Sequence, residues 1–100
     1  MANSNSQIRE RKRIELREPK HYVVIFHNDD FTPMDFVVGL LRDVFHKPIP
    51  EAEAIMLKVH KEGQAVVGTY TYDMARTRAE IAISIARKAG YPLRISYKEE

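Results

Sequence analysis

Three segments of the chain carry the hydrophobic pattern of β-strands. Residues 21–27 are aromatic and β-branched on both alternating faces, which is typical of an interior strand of a sheet. Residues 64–71 alternate and are rich in β-branched side chains, and a last strand places Leu93, Ile95 and Tyr97 on one face. The pattern therefore predicts three strands, the first of them an interior strand.

Two segments between the first two strands place apolar residues at helical spacing. Thr32 is predicted to be the N-cap of the first helix, with Pro33 at its first position, and this helix runs to about Phe45. The second helix begins near Glu51 and stops at Gly63, because glycine readily takes the left-handed conformation that ends helices.

A third helix follows the second strand. Thr71 or Asp73 caps its beginning and Gly90 ends it. Its predicted inner face consists of Met74, Ala75, Ile81, Ala82, Ile85 and Ala89.

The predicted order of elements is β-α-α-β-α-β. This order favours an α+β fold, a two-layer sandwich of three helices against a three-stranded antiparallel sheet. Residues 1–19 are polar with few large apolar side chains, so we predict a flexible N-terminal arm there and one core domain over residues 20–100.

The composition is that of one small domain. The chain has 100 residues, 44% of them hydrophobic, which leaves room for a single core. The absence of cysteine excludes disulfides and thiol nucleophiles and favours a reducing compartment. No apolar run approaches the roughly 20 residues that span a bilayer, and the N-terminus lacks the apolar segment of a secretory signal. We therefore expect a cytoplasmic protein without a membrane segment.

The positive charge is concentrated at the N-terminus. Residues 1–20 carry six Lys and Arg and three Glu, a net charge of +3, whereas residues 21–100 carry ten Lys and Arg and eleven Asp and Glu, a net charge of −1. A small nucleic-acid-binding protein with a basic arm is one alternative function. The core, however, has no cationic excess with which to bind nucleic acid.

The densest polar cluster outside the arm lies between the first strand and the first helix. Residues 28–30 (Asn-Asp-Asp) and Thr32 are common turn and capping residues, which gives one interpretation of the cluster. The other interpretation is a binding site, because the apolar stripe that begins with Met34 and Val37 lies next to these acceptors. Such a site suits a ligand with a cationic head and an apolar body.

His60 is the second candidate, in the last turn of the second helix. The helix dipole stabilises an imidazole there, and the apolar Met56 and Val59 are its neighbours. A small hydrolase that uses Asp30 and His60 is a further alternative, although nothing positions a nucleophile beside them. The histidines form no metal-ligating pattern and the glycines no phosphate-binding loop, so we expect no metal and no cofactor.

Four stretches together resemble the ClpS family of protease adaptors. They are HYVVIFHNDDFTPMDFVVGLL, AIMLKVHKEG, GTYTYDMARTRAE and GYPLRIS, and the resemblance covers about residues 20–98 in order and spacing. It implies the same β-α-α-β-α-β fold. It also implies a binding module without catalysis or cofactor, which carries N-degron substrates to a Clp-family AAA+ unfoldase.

The resemblance further implies a site for the first residue of a substrate, preferably Leu, Phe, Tyr or Trp. Asn28, Asp30 and His60 would hold the free α-amino group, with Asp29 beside them shaping the loop. The side-chain pocket would be formed by Thr32, Met34, Val37, Met56, Val59 and Leu93. Met34 would also disfavour β-branched first residues.

The implied partner is the N-terminal domain of a ClpA- or ClpC-like unfoldase. Asp73 and Arg78 match in charge the family positions that contact this domain. The arm departs from the family in being strongly basic, and His27 stands where relatives usually carry an apolar residue. We expect a monomer that binds neither nucleic acid nor membranes.

Overall fold

The computed structural model describes residues 19–100, so residues 1–18 of the predicted arm lie outside the described residues. The strands are β1 (Tyr22–His27), β2 (Gln64–Tyr70) and β3 (Arg94–Glu99), and the helices are α1 (Met34–Asp43), α2 (Ile49–Glu62) and α3 (Tyr72–Lys88). Their order is the predicted β-α-α-β-α-β, and the predicted α+β fold with an antiparallel three-stranded sheet is confirmed.

The strand β1 is the centre of the sheet. The strand order is β2-β1-β3, and both neighbours run antiparallel to β1. At one end His27 lies opposite Gln64 and Arg94. Hydrogen bonding on both edges makes β1 the interior strand of the sheet, so the prediction of an interior strand is confirmed.

A single core joins the helices to the sheet face that carries Val24 and Phe26. Phe26, Leu41 and Leu93 are fully buried, and the ring of Phe26 meets that of Phe45 edge to face at 5.5 Å between centroids. Side chains of this size each stabilise the fold by about 1.5–3 kcal/mol when buried. This packing holds the end of β1, the start of α1 and the end of α2 close together.

The buried face of α3 differs from the predicted one. Four alanines at positions 75, 79, 82 and 86 are completely buried, whereas Met74, Ile81 and Ile85 are 42%, 47% and 41% exposed, and Ala89 is exposed as well. The predicted inner face was therefore correct only for Ala75 and Ala82. The alanine spacing of four, three and four residues forms one stripe, and its small side chains let the helix approach the sheet closely. The larger apolar residues are left outside.

The helix ends lie within two residues of the predicted ones. The helix α1 ends at Asp43, and α2 begins at Ile49, after Pro48. Gly63 and Gly90 follow α2 and α3 with φ of 87° and 85°. Glycine adopts this left-handed conformation without strain, so it is well suited to end a helix.

Within residues 19–100, no helix combines the length and apolar character needed to cross a membrane.

Candidate functional site

The loop between β1 and α1 is organised by the carboxylate of Asp29. Its Oδ1 accepts hydrogen bonds from the backbone N–H groups of Phe31 and Thr32, both at 2.8 Å, and its Oδ2 accepts one from the Thr32 hydroxyl at 2.7 Å. The prediction that Thr32 caps α1 is wrong. Its hydroxyl is engaged by Asp29, and Pro33 is the extended residue that precedes the helix, with φ of −63° and ψ of 145°.

These hydrogen bonds favour the ionised form of Asp29. Partial burial acts to raise the pKa of this carboxyl. The hydrogen bonds from the Thr32 hydroxyl and from the N–H groups of Phe31 and Thr32, together with the nearby guanidinium of Arg87, outweigh burial and bring the pKa below its ordinary value. Asp29 is therefore an ionised carboxylate whose two oxygens both accept hydrogen bonds within the loop.

Replacing Asp29 with alanine is expected to lower the free energy of unfolding by about 1.5–4.5 kcal/mol, because three hydrogen bonds of about 0.5–1.5 kcal/mol each are lost. Asp29→Asn is the matched control. Its amide oxygen still accepts from the two N–H groups and its NH2 can donate to the Thr32 hydroxyl, so we expect a loss of less than about 1 kcal/mol. Urea unfolding measures both variants.

The pH dependence of the same pair tests the charge of Asp29. Because the folded-state pKa is lowered, the charge stabilises the fold above the unfolded-state pKa of about 3.9, and this stabilisation is lost as the pH falls through the folded-state pKa. The difference in unfolding free energy between wild type and Asp29→Asn should therefore be constant near neutral pH and shrink below about pH 4. A difference that stays unchanged down to about pH 3 would contradict this role.

A backbone hydrogen bond ties this loop to the end of α2. The N–H of Asn28 donates to the carbonyl of Gly63 at 2.8 Å, and the N–H of Gly63 donates to the carbonyl of Val59 at 2.9 Å. His60 lies in the last turn of α2, between Val59 and Gly63 in the sequence. The contact brings Asn28 and His60, which are far apart in sequence, to the same part of the surface.

A cavity of about 350 Å³ opens where the loop, α1 and α2 meet. Its lining consists of Asn28, Asp29, Asp30, Phe31, Thr32, Pro33, Met34, Val37, Met56, Val59 and His60. Val37 and Val59 are buried at its wall, Met56 is half-buried, and Met34 is 43% exposed. Methionine side chains are flexible and adapt to differently shaped apolar groups. The cavity thus has an apolar wall and a polar rim.

The polar rim has free acceptors. Asn28, Asp30 and His60 are exposed, and their side chains form no hydrogen bond or ion pair with other residues of the range 19–100. An amide oxygen, a carboxylate and one nitrogen of a neutral imidazole can each accept a hydrogen bond from an ammonium group. Among residues 19–100, no Lys or Arg side chain lines the cavity and competes for these acceptors.

The structure brings together nine of the twelve residues that the sequence analysis assigned to a site. Leu93 is only 1% exposed and lies in the core, not at the cavity surface. Asp73 and Arg78 lie on α3 and do not line the cavity. The guanidinium of Arg78 donates to the carbonyl of Val44, which follows the last residue of α1.

Two residues at the cavity were missed from the sequence. Phe31 is 76% exposed at the mouth, and Pro33 forms part of the wall. A large aromatic residue inside a polar turn was the available signal for Phe31.

The contacts of Arg87, near the cavity loop, were also not predicted from the sequence. Its guanidinium donates to the carbonyls of Tyr91 and Leu93 at 2.9 and 2.8 Å, a contact that no local pattern indicates.

His27 lies next to the site, on β1. Its Nε2 is 2.7 Å from the hydroxyl oxygen of Ser96 on β3. Partial burial and, to a lesser degree, the charge of Arg94 lower the pKa of His27. His27 is therefore neutral at neutral pH and attaches the end of β1 to its neighbouring strand, immediately before Asn28.

Comparison with known proteins identifies the family. Residues 17–96 match the family model described as ATP-dependent Clp protease adaptor protein ClpS. The ClpS adapter protein of Syntrophus aciditrophicus is 51% identical over 85 residues, covering 85% of this chain and 79% of that protein. The ClpS adapter protein of Burkholderia cenocepacia is 46% identical over 95 residues, covering 95% of this chain and 91% of that protein.

A solved structure shares the fold. It is Agrobacterium tumefaciens ClpS2 bound to L-phenylalaninamide, with a TM-score of 0.81 and 36% sequence identity, and the match covers 83% of this chain and all of that one. These matches confirm the resemblance seen in the sequence. The chain therefore belongs to the ClpS family, the adaptor proteins of the ATP-dependent Clp protease.

Proposed function

We propose that this protein binds the first residue of N-degron substrates and delivers them to a Clp-family AAA+ unfoldase, without catalysing a reaction itself. The ligand is a free α-amino group joined to a large apolar side chain, that of Leu, Phe, Tyr or Trp. One observation carries the proposal, namely the apolar cavity whose rim holds three exposed acceptors, those of Asn28, Asp30 and His60.

The acceptors of the rim suit an α-amino group. This group has a pKa near 8 and is mostly cationic at neutral pH, so its transfer from water without acceptors would cost several kcal/mol. Asn28, Asp30 and His60 offer one acceptor each, and charge-assisted hydrogen bonds contribute about 1.5–3 kcal/mol apiece. Asp29 has a different role. Both of its oxygens already accept hydrogen bonds from Phe31 and Thr32, and these bonds hold the loop in place.

The apolar wall suits the side chain of the first residue. Burial of a Leu or Phe side chain contributes about 1.5–3 kcal/mol, and the wall of Val37, Val59 and Met56 supplies the contacts. Met34 stands half-exposed at the wall. We assign it the role of excluding first residues that branch at Cβ, such as Ile and Val.

The solved relative supports the proposal. Agrobacterium tumefaciens ClpS2 is bound to L-phenylalaninamide, a small molecule that carries a free α-amino group and an aromatic side chain. Its fold is that of this chain. The equivalent ligand for this protein is the first residue of a polypeptide, whose backbone continues from the position of the amide.

The unfoldase contact that we propose lies on α3. Asp73 is exposed in the first turn, and Arg78, five residues further along the helix, is partly exposed while its guanidinium donates to the carbonyl of Val44. The two opposite charges offer a partner two complementary ion pairs. The partner is the N-terminal domain of a ClpA- or ClpC-like unfoldase. Since neither residue lines the cavity, substrate and unfoldase can be bound together.

A peptide series that differs only in its first residue tests the proposed function. Peptides that begin with Leu, Phe, Tyr or Trp and carry a dye at the C-terminus are expected to bind at about micromolar concentrations, about 10- to 100-fold more tightly than the peptide that begins with Ala. Fluorescence anisotropy gives the affinities. Leu and Ala peptides that bind within about threefold of each other would contradict the proposal.

A further inference from the structure

A second concave surface lies on the other side of α1. It is a groove of about 540 Å³ between α1 and α3. Phe36, Ile85 and Tyr91 form its apolar walls, and the rings of Phe36 and Tyr91 meet edge to face at 4.8 Å between centroids. Ile85 is one of the large side chains that the alanine stripe of α3 leaves outside the core, and it is 41% exposed.

The groove and the cavity meet at the beginning of α1. Pro33 lines both of them, so a chain that leaves the cavity beside Pro33 can pass around this end of α1. From Pro33 to Asp43 the groove follows the ten residues of α1, a length of about 15 Å. About four to five extended residues cover that distance, at about 3.3 Å each.

The groove has room for a polypeptide backbone. Gly39 lies on its α1 side, and within residues 19–100 no atom other than those of its chain neighbours and its own helix backbone comes within 4 Å of the place where a Cβ at this position would stand. The absence of a side chain at the middle of α1 keeps the groove open between its two apolar walls.

The charged residues of the groove are acidic. Asp35 is exposed near Pro33, and Asp43 at the other end is paired with its neighbour Arg42 at 2.7 Å. Asp35 has no ion-pair partner among residues 19–100, so its charge remains available to a ligand. Asp35 in the groove and Asp30 at the cavity rim are both negatively charged. A peptide that runs from the cavity into the groove would therefore bind better with a basic than with an acidic residue there.

We propose that the groove binds residues three to seven of the substrate, and that it prefers apolar side chains and a basic residue there. This inference rests on the proposed function, since it takes the first residue to be held in the cavity. It makes affinity depend on the sequence that follows the first residue, through contacts with Phe36, Ile85 and Asp35.

Three ligands that all begin with Leu test the groove separately from the cavity. They are a two-residue peptide amide, a ten-residue peptide with apolar and basic residues at positions three to seven, and a ten-residue peptide with Gly and Ser there. The apolar-basic peptide is expected to bind about tenfold more tightly than the Gly-Ser peptide, which corresponds to the burial of about 60 Å² of apolar surface. The Gly-Ser peptide should bind like the dipeptide amide.

Gly39→Leu fills the groove and is compatible with the fold. Position 39 is helical, the space around it is open, and leucine is the better helix former. Ile85→Ser removes one apolar wall, and Ile81→Ser is its matched control, because Ile81 is 47% exposed on the same helix and does not line the groove. Gly39→Leu and Ile85→Ser should remove most of the tenfold gain, and Ile81→Ser should keep it. The affinity of the dipeptide amide should stay unchanged in all three variants.

The outcomes separate the two proposals. Equal binding of the two ten-residue peptides, or a tenfold gain that survives Gly39→Leu, would overturn the groove proposal and leave the cavity proposal standing. Failure of the dipeptide amide to bind at all would instead overturn the proposed function.

Discussion

Acetylation of the α-amino group is expected to weaken the binding of a Leu- or Phe-initiated peptide by more than about 100-fold. An acetylated amine has lost its charge and two of its three N–H donors, so at least two of the three acceptors of Asn28, Asp30 and His60 are left without a partner. The loss of about two charge-assisted hydrogen bonds corresponds to about 3 kcal/mol or more. The acetyl group must also fit into the space that these acceptors surround.

A matched peptide separates this effect from a general effect of acetylation. It carries the acetyl group on a lysine side chain near its C-terminus, and it should bind like the unmodified peptide. Calorimetry or anisotropy at one pH and ionic strength compares the three ligands. If the N-acetylated peptide binds as well as the free one, the rim does not recognise the amine and the proposed function fails.

The second large effect is expected for Asp30→Asn, which should weaken peptide binding by about 10- to 100-fold. Asp30 and Asp29 are neighbours in sequence, yet the structure gives them different roles. Asp29 uses both oxygens within the loop, whereas the carboxylate of Asp30 is exposed and forms no hydrogen bond or ion pair within residues 19–100. Asp30 is therefore the free negative charge of the rim, and the asparagine keeps its shape while removing that charge.

Asp73→Asn is the matched control for Asp30→Asn. Asp73 is an exposed carboxylate on α3 that does not line the cavity, so its replacement removes the same charge from the protein without touching the rim. A two-residue peptide amide is the right ligand, because it does not extend beyond the cavity. Similar weakening by both variants would show that only net charge matters and would remove the assigned role of Asp30.

The two alternative functions make different use of the same residues. A hydrolase that forms a covalent intermediate would need a side-chain nucleophile, and the one hydroxyl among the residues described at the cavity, that of Thr32, donates to Asp29. The adaptor function predicts that the peptide is bound and released unchanged, whereas a hydrolase that uses Asp30 and His60 predicts its turnover. The nucleic-acid hypothesis depends on the basic residues of the arm, which lie outside the described residues. Steep salt dependence of RNA or DNA binding, lost on deletion of residues 1–18, would support that function.

Local chemistry explains why much of the site could be predicted. Asn28, Asp29 and Asp30 follow a strand that is apolar on both faces and precede a helix that begins beside a proline, so a polar turn next to an apolar stripe was readable from the order of residues alone. The motifs around His60 then pointed to the same family that the comparisons show. Such features depend on residues that are close in the chain, so tertiary contacts do not change them.

Other predictions failed because side chains compete for partners in three dimensions. The hydroxyl of Thr32 suits a helix cap, but the extended Pro33 precedes α1 instead, and the Thr32 hydroxyl donates its hydrogen bond to Asp29. On α3, hydropathy favoured Ile81 and Ile85 as core residues, yet close approach to the sheet selected the alanines. Leu93, which was expected at the pocket, is 1% exposed and does not line the cavity, so its contact with a ligand stays a prediction.

The sequence by itself determined the order of the strands and helices, the central strand and the polar turn, because hydrophobic periodicity and turn chemistry act between near neighbours. Only the tertiary structure decided that Asn28 meets the end of α2 through Gly63, that Asp29 is consumed within the loop while Asp30 stays free, and that Pro33 joins a cavity to a groove. Each of these depends on contacts between segments distant in the chain or on competition for one hydrogen bond, and neither leaves a periodic pattern in the sequence.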